Sequence, residues 1–350
     1  MNQKQSIESL PEIDFHSKVP IYKQLLNNIT ALIETDVYKA GDILPSMNKL
    51  SAHLDLSKET IKKVYGILQK KELIQAIQGK GFFVSKTTKN KPKKVLLLLD
   101  KLSTYKSVIY QSFVLHSGNQ VSTTIHLHNQ SPKLFQSLLE ENLDLFDYYI
   151  ITPHFPLDSE TQSHILTLIR KIPNRKLILL DKNLPKLKGN FGAIYQNFED
   201  DSYYGLSKAL KLLRKYERLH TIASQGSLYS SIILQGVNRF CREFNIPHKI
   251  HNDINLKHVE SGGVYFVLNS QLDNEIIELV KIAKSKKLKI GKDIGIISYN
   301  ESPINEIILD GLTVVSTDFK SMGKQAADMV ISGNLFQKKN EFELVIRKTL

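Results

Sequence analysis

Two sets of side chains in this sequence have the types and spacing to do chemistry. The first is Ser57-Lys58-Glu59-Thr60 with Lys62 and Lys63 behind it, joined by Lys80 between Gly79 and Gly81. Ammonium groups neutralise phosphate, and short polar side chains exchange hydrogen bonds with base edges, so this set suits a nucleic acid. The second set closes a series of apolar runs: Asp100, Lys101 and Ser103; Thr152 and His154; Asp181 and Lys182; Asn269; Asn300 and Glu301. Brought to one place, such groups can donate to and accept from a small polar ligand. Taken singly, each reads equally well as an ordinary loop residue.

The elements that must position the first set are short and local. Gly41 and Pro45 punctuate a turn, and Ser46 is an N-cap candidate for a helix over 47–53. Asp55-Leu56 makes a tight connection. Ser57 then caps a second helix, with Ile61, Val64, Ile67 and Leu68 on one side and the polar, basic set on the other. Two short helices across a tight turn form a helix-turn-helix, whose second helix fits a major groove. Residues 73–77 and 82–84 flank Gln78-Gly79-Lys80-Gly81, a hairpin with a glycine-rich tip. Ahead of these, Pro20 opens a helix to about Thr35, buried through Ile21, Leu25, Ile29, Leu32 and Ile33. A small helical module that binds protein or only supports a core is the plainer alternative.

Charge favours nucleic acid. The chain of 350 residues has a formal net charge of +12, and residues 1–94 hold sixteen lysines and no arginine against nine carboxylates. More than half of the excess therefore lies where the helix-turn-helix is expected. The length implies two or three domains, and 41% hydrophobic with 23% charged residues is an ordinary globular composition. The single cysteine, Cys241, excludes an intrachain disulfide framework and a cysteine-based zinc site, and fits a reducing cytoplasm. The first residues are polar and acidic, unlike a signal peptide. The apolar run at 95–99 is far too short to span a bilayer, so no membrane role is expected.

The second set needs a different scaffold. Residues 1–85 read as the first domain and 86–94, KTTKNKPKK, as a basic linker. From Val95 strand candidates at 95–100, 123–128, 148–152, 176–181, 192–197, 220–224, 263–268 and 295–300 alternate with helix candidates at 133–141, 161–171, 200–216, 229–244 and 273–286. That alternation predicts α/β layers with mostly parallel sheets, whose ligands sit beyond the carboxyl ends of the strands. The polar residues of the second set lie there.

Residues 19–84 resemble the winged helix-turn-helix of GntR-family bacterial regulators, through VPIYKQL at 19–25, GDILPS at 41–46, LDLSKETIKKVYGIL at 54–68 and GKGFFV at 79–84. The resemblance implies that Lys58, Thr60 and Lys62 face DNA and that Gly79 and Lys80 reach the minor groove. Ser46, Ser57, Glu59 and Lys63 complete the candidate DNA-binding set. The family commonly carries Arg at the positions of Lys58, Lys62 and Lys80. Lysine keeps the charge for phosphate but lacks the bidentate fork that reads guanine.

Residues 95–350 resemble the effector domain of LacI-type repressors, which shares the fold of periplasmic sugar-binding proteins. The resemblance is clearest in GKDIGIISYNESP at 291–303, GLTVVSTDFKSMGKQAADMV at 311–330 and FELVIRKTL at 342–350. It implies two parallel-sheet lobes around a cleft, joined by three crossovers near 198, 315 and 337. A homodimer is expected, joined through this domain, with the helix over 317–336 offering Met322, Ala326, Ala327 and Val330 to a partner or to its own core. Lys101, Ser103, Tyr105, Asp181, Asn269, Asn300 and Glu301 become the candidate ligand contacts, and Tyr229, Phe155 and Tyr299 further aromatic candidates. Many sugar-responsive members carry Arg where Ile233 stands.

No nucleotide-binding glycine motif, nucleophile elbow or convincing metal-ligand set is present, so no cofactor, metal or catalytic residue is assigned. The expectation is a cytoplasmic regulator, a repressor that binds a two-fold operator in double-stranded DNA and answers to a small effector of the monosaccharide class. A ligand-insensitive DNA binder and an enzyme built on the α/β domain are the alternatives.

Overall fold

A computed structural model describes residues 13–17, 19–85, 92–223, 228–268 and 274–350. It divides into two compact units, 1–91 and 92–350.

The first unit contains α1 (Ile21–Glu34), α2 (Met47–Leu54), α3 (Lys58–Lys70) and a hairpin of β1 (Ile74–Ile77) and β2 (Gly81–Val84). Leu25, Ile29 and Ile33 of α1, Leu50 of α2, and Ile61, Val64, Tyr65 and Leu68 of α3 meet Ile74 and Val84 in one core. The capping serines end up where their chemistry requires. Ser46 accepts from the Lys49 amide at 3.3 Å and Ser57 from the Thr60 amide at 3.2 Å. Asp55 ends α2 in the left-handed region (φ 51°), which turns the chain into α3. The Tyr65 hydroxyl donates to the Pro45 carbonyl at 2.6 Å and ties α3 to the turn before α2. In the hairpin, Ile74 pairs with Val84 and Ile77 with Gly81. Gly79 and Gly81 adopt φ of +74° and +103°, which a side chain would strain.

The second unit has two lobes. In chain order the first is built from β3 (Lys93–Leu99), α4 (Thr104–Ser117), β4 (Val121–Leu127), α5 (Pro132–Asn142), β5 (Tyr148–Ile151), α6 (Ser159–Ile169), β6 (Leu177–Asp181) and β7 (Gly192–Tyr195). The second follows with α7 (Phe198–Leu213), β8 (Arg218–Ile222), α8 (Ser230–Glu243), β9 (His248–His251), β10 (Gly263–Val267), α9 (Asn274–Ser285), β11 (Gly295–Tyr299) and β12 (Thr313–Thr317). The chain then returns to the first lobe through α10 (Phe319–Ser332) and β13 (Gln337–Lys339), and ends in the second with β14 (Phe342–Val345). The first sheet runs β13-β7-β6-β5-β3-β4, all parallel. The second runs β14-β12-β11-β10-β8-β9, with only β14 antiparallel. Both sheets are covered on two faces, which explains the unbroken apolar runs.

Several expectations shift. The crossings lie at 196–197, 318 and 340–341; positions 315 and 337 fall inside β12 and β13. Strand β9 and helix α4 escape the periodicity reading. In α4 the buried face mixes Ile109 and Phe113 with Lys106, Ser112 and Ser117, so no apolar stripe announces it. Met322, Ala326, Ala327 and Val330 of α10 are fully buried against β3 and α4, so they form the lobe's own core and are closed to a partner. Gly323 makes that packing possible, since a Cβ there would collide with the Ile109 carbonyl.

Candidate ligand cleft and nucleic-acid face

In the head, the outer face of α3 carries the first set. Lys58, Glu59, Lys62 and Lys63 are exposed, and the Lys62 and Glu59 side chains stand 4.0 Å apart in a solvated pair of little energetic weight. The Ser57 and Thr60 hydroxyls share a 2.9 Å hydrogen bond, so both are partly engaged in capping. The Lys63 ammonium lies 3.8 Å from the centre of the Tyr22 ring on α1 and is held back toward the head's own surface. Gly79 and Lys80 stand exposed at the hairpin tip.

In the effector unit, the carboxyl ends of β3, β5, β6 and β7 bring together a buried charge cluster. The Lys106 ammonium is fully buried between Asp100, at 2.8 Å, and Asp181, at 2.9 Å. The Thr152 hydroxyl donates to Asp100 at 2.9 Å, His154 Nε2 stands 2.9 Å from Asp181, and the Gln196 amide donates to the other oxygen of Asp181. Burial alone would raise the Asp100 carboxyl, but Lys106 and His154 overcome it and bring the group down to about 2. The same balance holds Asp181 well below the usual carboxylate range. Burial would strip the proton from Lys106, yet Asp181 and Asp100 hold it charged, above the ordinary lysine range. Beside the cluster, His128 packs its ring on Phe155 (centroids 4.4 Å), and burial lowers it to about 4, leaving it neutral.

Across from this cluster the second lobe presents two tyrosines. The Tyr229 ring stacks on Phe198 (4.5 Å) and meets His154 edge-on (5.0 Å), so its ring faces are occupied. Tyr299 is likewise walled by Phe266 and Phe342. Both hydroxyls are buried with no hydrogen-bond partner among the described residues. Burial, and then neighbouring carboxylates that include Asp181 for both, raise their pKa values. Two orphan hydroxyls facing a polar cluster are an unfilled hydrogen-bonding demand, since a buried polar group without a partner is destabilising. Sequence reasoning offered the rings of these tyrosines; the rings are packed against other side chains, and the hydroxyls are the groups left without partners.

The other sequence candidates are placed as follows. Lys101 is exposed, Ser103 is buried beside the Tyr105 hydroxyl, and the Tyr105 ring stacks on Phe319 at 4.7 Å. Asn300 is buried, adopts φ +73° and sits at the end of β11. The Glu301 carboxylate is paired with Arg347 and therefore serves the second lobe's own packing. Asn269 lies outside the described residues. Ile233 is buried in the second lobe's core. Lys106 was not singled out from the sequence, because a lysine is normally solvated and nothing local marks this one as buried.

The three crossings converge on Asn340. Its amide donates to Thr317 Oγ1 at 2.8 Å and to the Asp318 carbonyl at 2.7 Å, and its backbone N–H donates to the Tyr195 carbonyl at 2.8 Å. Lys339 of the first lobe pairs with the buried Asp201 of the second at 2.7 Å.

Residues 21–84 match the family model for bacterial regulatory proteins of the gntR family, and residues 213–348 match that for a periplasmic binding protein-like domain. The chain joins a GntR-type head to a periplasmic-binding-protein-like domain. The chain is similar to the HTH-type transcriptional repressor YtrA of Bacillus subtilis (strain 168), 31% identical over 78 residues, 22% of this chain and 60% of that protein. The HTH-type transcriptional regulator TreR of the same organism is 30% identical over 131 residues, 36% of this chain and 50% of TreR. The matches thus span half to about three-fifths of these relatives' lengths. In fold, the chain is similar to the dimeric lac repressor with an 11-residue C-terminal deletion (TM-score 0.58, 16% identity, 73% of this chain and 98% of that one). It is also similar to the trehalose repressor from Escherichia coli (TM-score 0.57, 12% identity, 72% and 99%). Among the described residues, no helix is long and apolar enough to cross a membrane, and no group of three metal-ligating side chains is placed to hold an ion.

Proposed function

We propose that this chain is a DNA-binding transcription regulator, a repressor acting in the cytoplasm as a homodimer on a two-fold operator, whose affinity for DNA is set by a small ligand of the sugar class in the interlobe cleft. The observation that carries the ligand half is the pair of orphan hydroxyls, Tyr229 and Tyr299, facing the Asp100–Lys106–Asp181 cluster. Hydroxyl-rich ligands both donate and accept, which suits hydroxyls and carboxylates that need partners from one molecule. The DNA half rests on the match of the head to the GntR model and on the exposed lysines of α3.

The switch follows from the hinge. A ligand that touches both lobes favours one angle about the crossings at 196–197, 318 and 340–341, and so shifts the population between two arrangements. Only the difference in affinity for the two arrangements counts; a ligand that binds both equally changes nothing. With the apolar face of α10 buried, the surface open to a second copy includes Val114 and Leu115 of α4, both exposed.

A thermal-shift screen of the full chain against monosaccharides, disaccharides, sugar acids and sugar phosphates tests this reading. One member should raise the melting temperature in proportion to the logarithm of its excess, and that member should release operator DNA in a fluorescence-anisotropy assay. Stabilisation without any change in operator affinity would show a ligand site uncoupled from DNA. No stabiliser in the panel, with operator binding intact, would leave a ligand-insensitive DNA binder.

A further inference from the structure

Lys106 and Lys182 are two lysines of the same lobe with opposite electrostatic circumstances. Lys106 is enclosed by two carboxylates. Lys182, one residue beyond β6, is half-buried, and no carboxylate is among the influences on its ammonium. Its ammonium donates to the Gln162 side-chain carbonyl at 3.3 Å and lies 5.4 Å from the centre of the Tyr229 ring. Burial without a counter-charge pushes it down to about 8. A partly desolvated cation of this kind is unfavourable until an anion reaches it.

The other side of the same place is the amino end of α8. Tyr229 is the N-cap residue of this 14-residue helix, and no side chain caps it. The first N–H groups of a helix have no intrahelical acceptor, and the aligned peptide dipoles make that end positive. The hydroxyl of Ser230, the first residue of α8, and that of Tyr229 are buried and without partners among the described residues. The Tyr229 ring, fixed by Phe198 and His154, keeps the Lys182 ammonium of the first lobe beside the helix start of the second. The Lys182 cation and the positive helix end therefore meet beside the unused Tyr229 and Ser230 hydroxyls, and the carboxylates nearest to Tyr229, Asp181 and Asp100, are already held by Lys106.

Resting on the cleft as a ligand site, we propose that its ligand carries an anionic group, a phosphate ester or a carboxylate, seated between Lys182 and the amino end of α8. Helix amino ends bind such groups through backbone N–H donors and dipole together. The hydroxyls of the ligand then lie toward the Asp100–Asp181 side, and its charge toward α8. Because Lys182 and α8 belong to different lobes, the anion bridges them and favours the closed arrangement.

Isothermal titration of the full chain with neutral sugars, each beside its phosphate ester and its sugar acid, tests this. The tightest member should be anionic and bind at least about tenfold more tightly than its neutral parent, on the scale of one charge-assisted contact. Which of the phosphate and acid forms wins identifies the group. Lys182→Met should narrow that preference about tenfold, and Lys182→Arg should retain most of it. Without any variant, the preference should also fall as pH is raised from about 7 to about 9, as the free ammonium loses its proton. A neutral sugar that binds as tightly as its anionic partners leaves the cleft reading standing and overturns the anion seat. So does an anionic preference that Lys182→Met leaves intact. No binding by any member overturns both.

Discussion

Replacing Lys106 by Met should be among the most destabilising single changes in the effector unit, and its pH dependence should reverse sign. The side chain is fully buried, with its ammonium 2.8 Å from Asp100 and 2.9 Å from Asp181. Methionine is close in volume, so the loss is electrostatic. Breaking a buried ion pair from one side costs about 3–5 kcal/mol, because the partner charge stays buried and uncompensated. Here two carboxylates are stranded, within a total stability of about 5–15 kcal/mol. In the parent, Asp100 is lowered from 3.8 to about 2. Its contribution is therefore fully present above about pH 4 and lost as pH falls through 2. In the variant burial wins, and both carboxyls titrate above their ordinary values. The folded variant then binds protons that its unfolded chain does not, so it gains stability as pH falls from neutral toward 4. Urea denaturation of parent and variant, followed by circular dichroism between about pH 5 and about pH 8, reads both effects. A variant within about 1 kcal/mol of the parent, with the same pH slope, would refute the buried charge cluster. Adding Asp100→Asn and Asp181→Asn to the variant should recover part of the loss, since no buried charge is then left without a partner.

Three further outcomes are expected. Lys58→Ala with Lys62→Ala should weaken operator binding and reduce the slope of log affinity against log salt by about 2, leaving the ligand titration of the effector unit in place; an unchanged slope would show that α3 does not meet phosphate. Gly323→Ala should destabilise by about 1–3 kcal/mol in thermal or urea unfolding, because its Cβ collides with the Ile109 carbonyl where α10 crosses α4; a neutral result would mean that the two helices do not pack this closely. His220 and His128 are both lowered from 6.5 to about 4 by burial first, so stability should decline as pH falls from about 6.5 to about 4, by on the order of 2–3 kcal/mol for each. His220→Gln should flatten that limb in a pH series of urea melts; a decline equal to the parent's would assign the effect elsewhere.

The head was legible because its determinants are local. Ser46 and Ser57 precede their helices by one residue, Ile61, Val64 and Leu68 repeat at helical spacing, and Gly79 and Gly81 occupy positive-φ positions in the hairpin. Each is a statement about residues within a turn or two of one another. The parallel lobes were legible for a related reason, since strands covered on both faces must be written as unbroken apolar runs. Polar residues at the strand ends were likewise visible, and Asp100, Thr152, His154 and Asp181 do converge. Tertiary structure alone decided what that convergence contains. Lys106 lies 75 residues from Asp181, on a helix whose buried face carries three polar residues and so shows no amphipathic stripe. Its burial is stable only because two carboxylates arrive from other strands. The apolar face of α10 could serve a partner or a core, and it became core because the chain crosses back at Asp318 and lays it on α4. Spacing along a chain records which face is apolar or which loop is polar. Which groups share a low-dielectric pocket, and hence which charges survive and which hydroxyls are left without partners, depends on contacts between distant segments that no local pattern encodes.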